Sequence, residues 1–193
     1  MPTRTTLVAL LTATAAMSTL PAKAANYSSQ PQGHLGAVLE LDGDFGGDNI
    51  ASILFTDGST EDIKAGQGIA GAVGLHYQLA TLPLDFAVTA GYKYVTTRAS
   101  NANIFLDRVE IKAVGAYELP GHWWVDAGPV WHAGTRLHGD GYLPNVSFND
   151  AVGATVGLGW RWIGIAYTNI HYNSAITGNV DASNVGVTLA WKF

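Results

Sequence analysis

The sequence predicts an all-β protein: an antiparallel up-and-down transmembrane β-barrel of eight strands, with ten strands as the alternative. The 193 residues are 48% hydrophobic but only 13% charged, and soluble domains average roughly 25% charged residues. Beyond the N-terminal region, no apolar run reaches the length of about 20 residues that a membrane-spanning helix needs. Instead, apolar residues alternate with small or polar ones along most of the chain, as the two faces of a strand require.

The last nine residues show this alternation most clearly. One face of the predicted strand is wholly apolar, and the other is small or polar. The closing strand of a membrane barrel needs a lipid-facing apolar stripe and an aromatic residue at the membrane interface. The apolar face consists of Val185, Val187, Leu189, Trp191 and Phe193.

Residues 1–24 have the pattern of a cleaved secretory signal peptide. Arg4 supplies a positive charge, residues 7–20 are apolar and uncharged, and Ala22-Lys23-Ala24 fits a cleavage site flanked by small residues. Residues 25–33 are polar, and we expect them to form a flexible periplasmic lead-in. The barrel domain is then residues 34–193, exported to the bacterial outer membrane.

The first strand is the ambiguous part of the barrel. Two extended pieces lie within residues 34–56, separated by a Gly- and Asp-rich turn at 42–49. They form one long strand with a glycine bulge, or else the earlier piece is an additional strand or a periplasmic arm. Asp57-Gly58, which follows them, is a strong hairpin signal.

The remaining strands are separated by connections that alternate between short and long. Membrane barrels have short periplasmic turns and longer outer loops, so this alternation predicts the orientation of the chain. The six middle strands are predicted to begin near residues 66, 84, 105, 123, 148 and 165. Short connections are predicted at 80–83, 120–122 and 163–164, and longer loops at 98–104, 135–147 and 173–184.

Aromatic residues gather toward the strand ends, as in the two interfacial girdles of a membrane barrel. The set near the short connections comprises Tyr77, Trp123, Trp160, Trp162, Trp191 and Phe193. The set toward the other end comprises Tyr92, Tyr94 and Trp131.

Charged residues occupy the inward face of the predicted strands. The interior of an eight-stranded barrel is just wide enough for side chains to fill, and buried charges are costly unless they are paired. We therefore expect an internal network of salt bridges and hydrogen bonds, with a narrow ion path as the alternative. The predicted lumen charges are Glu40, Asp85, Lys93, Arg108, Glu110, Lys112, Glu118, Asp126 and Arg161. In the strand beginning near residue 165 the register is ambiguous, and we favour Tyr167, Asn169 and His171 facing inward.

These features resemble the family of small outer-membrane β-barrels that includes OmpA-, OmpX- and OmpW-type proteins. The resemblance spans the signal peptide, the alternating strands and the aromatic C-terminus, and three further stretches are similar to members of this class. It implies that Val187, Leu189, Trp191 and Phe193 form the signal read by the barrel-assembly machinery. The three stretches are Thr56-Asp57-Gly58-Ser59, Ala65-Gly66-Gln67-Gly68 and Gly91-Tyr92-Lys93-Tyr94.

One stretch, His171-Tyr172-Asn173-Ser174, suggests catalysis. It resembles the His-Tyr-Ser-Asn-Ala segment of outer-membrane lipid A deacylases, in which a His, a nearby Ser and a Glu form a triad. Here Ser174 lies three residues after His171, which places the two side chains on opposite faces of a continuing strand. Asp181 is the acid nearest in sequence, and the last strand has no Glu.

The composition excludes several other chemistries. The chain has no cysteine, so a thiol nucleophile, a disulfide and a thiolate metal site are excluded. His132, His138 and Asp140 are not spaced like metal ligands, and we expect neither a metal nor another cofactor. The formal charge of −5 argues against nucleic-acid binding.

The function expected from the sequence is that of a non-catalytic outer-membrane barrel with a structural, adhesive, sensing or narrow-pore role. The alternative is a lipid A-modifying hydrolase that uses His171 and Ser174. The expected partners are outer-membrane lipid, lipopolysaccharide and the barrel-assembly machinery, and we expect the barrel to be a monomer.

Overall fold

The structure, a computed structural model, describes residues 33–54, 58–99 and 102–193. The predicted signal peptide, nearly all of the predicted lead-in and Asp57 of the hairpin signal lie outside these residues. Within them there is no helix with the length and apolar character needed to cross a membrane. The described strands are β1 (His34–Phe45), β2 (Asn49–Leu54), β3 (Thr60–Lys64), β4 (Gly68–Gln78), β5 (Leu84–Ala99), β6 (Ala102–Leu119), β7 (Trp123–His138), β8 (Val146–Ser147), β9 (Ala151–Trp160), β10 (Ile163–Asn169), β11 (His171–Ser174), β12 (Gly178–Asp181) and β13 (Asn184–Lys192).

Eight of these strands form a closed antiparallel barrel in the order β1-β4-β5-β6-β7-β9-β10-β13. Pairing of β1 with β13 closes it, with Leu41 opposite Leu189 and Val38 opposite Lys192. Each strand pairs with the barrel strand before and after it in the chain, which defines an up-and-down topology. The prediction of an eight-stranded up-and-down barrel is confirmed, and the ten-strand alternative is wrong.

The two extended pieces within residues 34–56 have different roles. The first is the barrel strand β1, and the second, β2, pairs with β3 as a separate hairpin beyond the barrel. Neither a single bulged strand nor an additional barrel strand was therefore the correct interpretation. A second such hairpin, β11–β12, links β10 to β13, where the sequence predicted a polar loop.

Three predicted connections are shorter than expected or lie elsewhere. The turn predicted at 163–164 lies at 161–162, because Ile163 is already the first residue of β10 and pairs with Trp160 of β9. The loop predicted at 98–104 is mostly strand, since β5 ends only at Ala99 and β6 already begins at Ala102. The loop predicted at 135–147 begins only after His138, and β8 pairs with the end of β7.

The outer surface of the barrel carries a continuous apolar belt. Leu75, Val88 and Ile165 are among its large exposed side chains, and the residues on either side of each one in its strand are less exposed and are small or polar. Trp123 and Trp131 are eight residues apart on β7, about 27 Å along the strand. At a tilt of about 40° this spans roughly 20 Å of the barrel axis, close to the apolar band of a membrane barrel.

Candidate functional site

The candidate site is the barrel lumen, which has three zones: a central charge network, an apolar cap at the end of the long loops, and a cavity at the end of the short turns. Inward-facing positions on all eight strands contribute to it. Most of the predicted lumen charges are present there, together with several residues that the sequence analysis did not select.

Lys112 is the centre of the lower part of the network. Its Nζ is paired with Glu40, lies 3.1 Å from Asp42 Oδ2 and lies 3.7 Å from Glu110 Oε1. The other oxygen of Asp42 accepts a hydrogen bond of 2.6 Å from the hydroxyl of Thr188. The ammonium is thus surrounded by carboxylates from β1 and from its own strand β6, which lie three strands apart around the barrel. Close carboxylates of this kind make a buried cation tolerable.

Lys93 and His132 form the upper part of the network. Lys93 Nζ lies 2.6 Å from Asp44 Oδ2 and 3.6 Å from Glu110 Oε2. The same Glu110 oxygen lies 2.7 Å from His132 Nε2. Glu110 therefore connects both lysines and the histidine, and Lys93 and His132 are almost fully buried.

Tyr172 links this network to the loops above it. Its hydroxyl lies 2.6 Å from His132 Nδ1, and burial raises the pKa of Tyr172 to about 12. The phenol therefore remains protonated and donates its hydrogen bond to Nδ1 of His132. A neutral His132 then has its proton on Nε2, which donates to Glu110. The Arg108 guanidinium lies 6.0 Å from the centre of the Tyr172 ring and donates to the Gln67 carbonyl at 3.0 Å.

A separate pair of contacts surrounds Asp85 toward the short-turn end. One carboxylate oxygen of Asp85 lies 3.0 Å from both His76 Nδ1 and Lys192 Nζ. Asp85 and His76 are buried. This cluster joins strands β4, β5 and β13 across the lumen.

The lumen residues that sequence reasoning missed follow a visible rule. Asp42 and Asp44 were placed in a turn, although they continue the inward parity of Glu40 on β1. His76 and Lys192 likewise lie at inward positions. Extending the alternation through Gly43 would have identified Asp42 and Asp44, whereas no sequence signal pointed to the contact between His132 and Tyr172.

Three of the predicted lumen charges have different surroundings from the rest. Glu118 and Asp126 are half-buried and line the lower cavity. Arg161 is not in the lumen, which corrects its predicted placement. It lies exposed in a tight turn with φ of 55°, and its guanidinium stacks over the ring of Trp160 at 4.5 Å.

The favoured register of β10 is also wrong. Tyr167, Asn169 and His171 face outward, while Gly164 and the other even-numbered positions face the lumen. A Cβ at Gly164 would collide with the Trp124 side chain, so the smallest residue must face inward there. The outward residues of β10 extend the apolar belt of β9 and β13.

An outer cap closes the lumen at the end of the long loops. It is a cluster of buried apolar side chains contributed by the β2–β3 and β11–β12 hairpins, by the loop after β7 and by the outer ends of barrel strands. Ile63, Leu106 and Tyr172 are at its centre, each fully buried. The outer cap consists of Ala51, Ile63, Ala65, Ile104, Leu106, Val130, Leu137, Val146, Phe148, Ala151, Ile170, Tyr172, Val180 and Ala182.

At the opposite end lies a cavity of about 810 Å³. Its walls include inward side chains of β1, β5, β6, β7 and β13, and residues of the short turns form its rim. Trp124 lies along one wall, with its Nε1 donating to the Arg161 carbonyl at 3.0 Å. The lumen is therefore filled at its outer end and open at its short-turn end.

The predicted interface aromatics lie on the outer surface or the turns. At the short-turn end, Trp162 stacks on Trp191 with ring centres 6.2 Å apart, and Trp160 Nε1 donates to the Gly121 carbonyl at 3.0 Å. Tyr94 packs against Phe105 at the other end. The remaining members, Tyr77, Tyr92, Trp123, Trp131 and Phe193, are exposed.

The residues of the predicted assembly signal lie on β13 and just beyond it. Val187 is exposed on the outer surface, and Leu189 and Trp191 are half-buried beside it. The Phe193 amide donates to the Ala37 carbonyl of β1 at 2.9 Å. Their outward face is continuous with the apolar belt.

The catalytic alternative is not assembled in this structure. His171 is exposed and Ser174 is buried, on alternate faces of β11. Asp181 lies opposite His171 in β12, 3.8 Å from its Nε2. Hydrogen bonds from the Ser183 side chain and amide hold the pKa of Asp181 below its ordinary value, so this carboxylate is engaged by its own loop. Serine and base are thus not within reach of each other, as a nucleophilic triad requires.

The three residues considered as metal ligands in the sequence each contact different partners. His132 bonds to Glu110 and Tyr172, His138 lies 3.1 Å from Asp107 Oδ1, and Asp140 accepts from the Asn103 amide. No group of three or more His, Cys, Asp or Glu residues in the described part of the chain is arranged to hold a metal ion.

The fold and lumen define a small membrane-type β-barrel that is filled at its outer end and has a cavity at its short-turn end. No family model and no curated protein matches this chain. The solved structures that are similar to it include three that each cover 83% of this chain. They are Neisserial surface protein A (11% identity, 99% of that chain covered, TM-score 0.49), the attachment invasion locus protein Ail of Yersinia pestis (7%, 99%, 0.43) and the N-terminal β-barrel domain of Pseudomonas aeruginosa OprF (12%, 100%, 0.33).

Proposed function

We propose that this chain is an integral outer-membrane barrel that does not conduct ions and acts through its structured outer loops, in a structural or adhesive role. The observation that carries the proposal is the outer cap directly above a charge network in which Lys93 and Lys112 are each paired with carboxylates. Water and ions crossing the barrel would have to displace fully buried apolar side chains such as Ile63, Leu106 and Tyr172. Hydrophobic constrictions of this kind exclude water and therefore ions.

Location in the outer membrane is supported by the apolar belt. Exposed Val, Leu and Ile side chains lie on the outside of all eight strands, whereas most charged residues of these strands are inside. A soluble barrel needs the reverse distribution, because large apolar patches on a soluble protein are rare. The short turns then face the periplasm, and the two hairpins face the cell exterior.

The outer loops are suited to contact with other molecules because they are folded. The β2–β3 hairpin is held by bonds of Asp62 to the Asn49 and Ser52 side chains. It joins the β11–β12 hairpin through two hydrogen bonds between Asp48 and Asp181. The Asp48 backbone amide donates to the Asp181 carbonyl at 2.7 Å, and the Asp181 backbone amide donates to the Asp48 carboxylate at 2.8 Å. A preorganised surface loses less entropy on binding than a disordered one.

The test is planar-bilayer recording on the purified, refolded protein, combined with fractionation of the cells that produce it. We expect the protein in the outer-membrane fraction, with heat-modifiable gel mobility and no unitary current steps. A reproducible unitary conductance would contradict the sealed lumen and favour the narrow-pore alternative. Recovery in the soluble periplasmic fraction would contradict the membrane location.

A further inference from the structure

The short-turn end of the lumen contains a cavity that lies below the charge network and is separate from the outer cap. Its volume of about 810 Å³ lies within the range of about 300–1,000 Å³ typical of small-molecule pockets. It is enclosed by strands on its sides and by the network around Glu40 and Lys112 above. Access is from the end where the short turns lie.

The cavity exists because the inward side chains at this level are small. Ala87, Ala116 and Ala190 occupy inward positions of three different strands and line it. At the outer end the corresponding inward positions carry Lys93, Arg108 and other large residues. The difference is built into the sequence and does not depend on a loop conformation.

One wall of the cavity is an aromatic surface held in place. The Trp124 indole occupies space left by Gly159 and Gly164, where a Cβ would collide with its ring. Its Nε1 is engaged by the Arg161 carbonyl at 3.0 Å. The ring therefore lies along the wall and does not fill the cavity.

Carboxylates outnumber cations in the lining of the cavity. Glu40, Glu118 and Asp126 line it, and the lining cations are Lys192 and, in a short turn at the rim, Arg161. The Arg161 guanidinium stacks over the Trp160 ring. Lys192 is already paired with Asp85 at 3.0 Å. Asp126 accepts a hydrogen bond from the Gly157 amide, and among the described residues no basic nitrogen forms a salt bridge with its carboxylate.

We propose that this cavity binds a small organic cation, an amine or quaternary ammonium with an aromatic or alkyl body, which enters from the periplasmic side. The ammonium lies near Asp126, and the body packs on the Trp124 face and the alanine walls. Aromatic rings attract cations at their faces, and an opposite charge in a partly buried site strengthens the attraction relative to water. The pocket thereby combines the apolar lining and few oriented polar groups that small-molecule sites share.

The test uses the refolded protein in a nonionic detergent and equilibrium dialysis against benzyltrimethylammonium. Neopentylbenzene, its uncharged isostere, and benzenesulfonate serve as comparison ligands, and protein-free micelles correct for partition. We expect saturable binding of the cation with about one site per barrel and at least tenfold weaker binding of both comparison ligands. Equal binding of the neutral isostere, or no saturable binding of the cation, would overturn the proposal.

Two variants locate the site. Asp126→Asn keeps the shape of the side chain but removes its charge, and we expect about tenfold weaker cation binding. Ala190→Leu fills the cavity and should abolish binding of the cation. Glu61→Gln, which removes an exposed carboxylate in the outer β2–β3 hairpin, is the matched control and should bind like the unmodified protein.

Heat-modifiable gel mobility shows that each variant has folded, so that a loss of binding is not a loss of structure. If folded Asp126→Asn and Ala190→Leu both bind the cation as well as the unmodified protein, the cation does not occupy this cavity. If Glu61→Gln weakens binding as much as Asp126→Asn, binding follows overall charge and the proposed site is wrong.

Discussion

Glu110 holds more partners than any other carboxylate described in the lumen. It lies within salt-bridge distance of Lys93 and Lys112 and accepts a hydrogen bond from His132. Each lysine also has another carboxylate, Asp44 for Lys93 and Glu40 with Asp42 for Lys112. Loss of Glu110 therefore weakens the network without leaving either ammonium wholly uncompensated.

We expect Glu110→Gln to lower the free energy of unfolding by about 2 kcal/mol, less than the 3–5 kcal/mol typical of breaking an isolated buried pair. Urea unfolding of the protein in lipid vesicles, followed by tryptophan fluorescence, measures the change. Glu61→Gln, an exposed carboxylate replaced in the same way, should change stability by less than about 0.5 kcal/mol. Equal effects of the two variants would show that the network contributes nothing specific.

Tyr172 joins the β11–β12 hairpin to the barrel. It fills the outer cap against Phe148 and donates its hydroxyl to His132. Phe148 belongs to the loop after β7, so one side chain connects two outer loops and the network. The hairpin itself is only four residues on each side, too short to be stable alone.

We expect Tyr172→Ala to cost about 3 kcal/mol, as for other large-to-small substitutions at buried aromatic sites, and to release the hairpin selectively. Amide hydrogen exchange is the measurement: protection of residues 171–181 should fall by more than that of the membrane strands. Tyr172→Phe is the control, because it keeps the packing and removes only the hydroxyl. A uniform loss of protection over all eight barrel strands would contradict a hairpin-specific role.

Alternation of residues predicted the faces of β5, β6 and β7 because the charged residues within 84–95, 108–119 and 123–133 all fall on one face of their strand. In β10 it failed, since Gly164, Ala166 and Thr168 give neither face a decisive character. Which face of β10 points inward is determined by the contact of Gly164 with Trp124 of β7. The local sequence pattern of β10 does not specify this partner. Likewise the β2–β3 and β11–β12 hairpins are stabilised by contacts with each other and with the outer cap.

The register of β11 has a direct chemical test, because the chain contains no cysteine and single substitutions give unambiguous thiols. His171→Cys should react rapidly with a water-soluble maleimide, since that side chain is 48% exposed. Ser174→Cys should react at least about tenfold more slowly, because its residue is buried on the other face and must await local opening. Similar rates in folded protein would contradict the observed alternation, and both thiols should react at the same rate in urea.

The whole barrel is asymmetric along its axis. Its outer half is filled by large side chains and closed by the outer cap, and its short-turn half is lined by small residues around an open cavity. This asymmetry allows a membrane protein to expose a pocket to one compartment without connecting the two. It also predicts that a thiol in the cavity is reachable from one side of the membrane only.

We expect this one-sided access to appear as complementary labelling in sealed vesicles. Ala190→Cys in the cavity and His171→Cys in the outer hairpin are reconstituted identically and treated with a small impermeant thiosulfonate. A barrel whose outer hairpins face the external solution is labelled only at position 171, and a barrel in the reverse orientation is labelled only at position 190. This holds for any mixture of the two orientations. The externally labelled fractions of the two variants should therefore add up to about one, with all remaining thiols reacting after the vesicles are lysed. A sum well above one would mean that reagent passes the outer cap, because thiols at position 190 would then react from both sides.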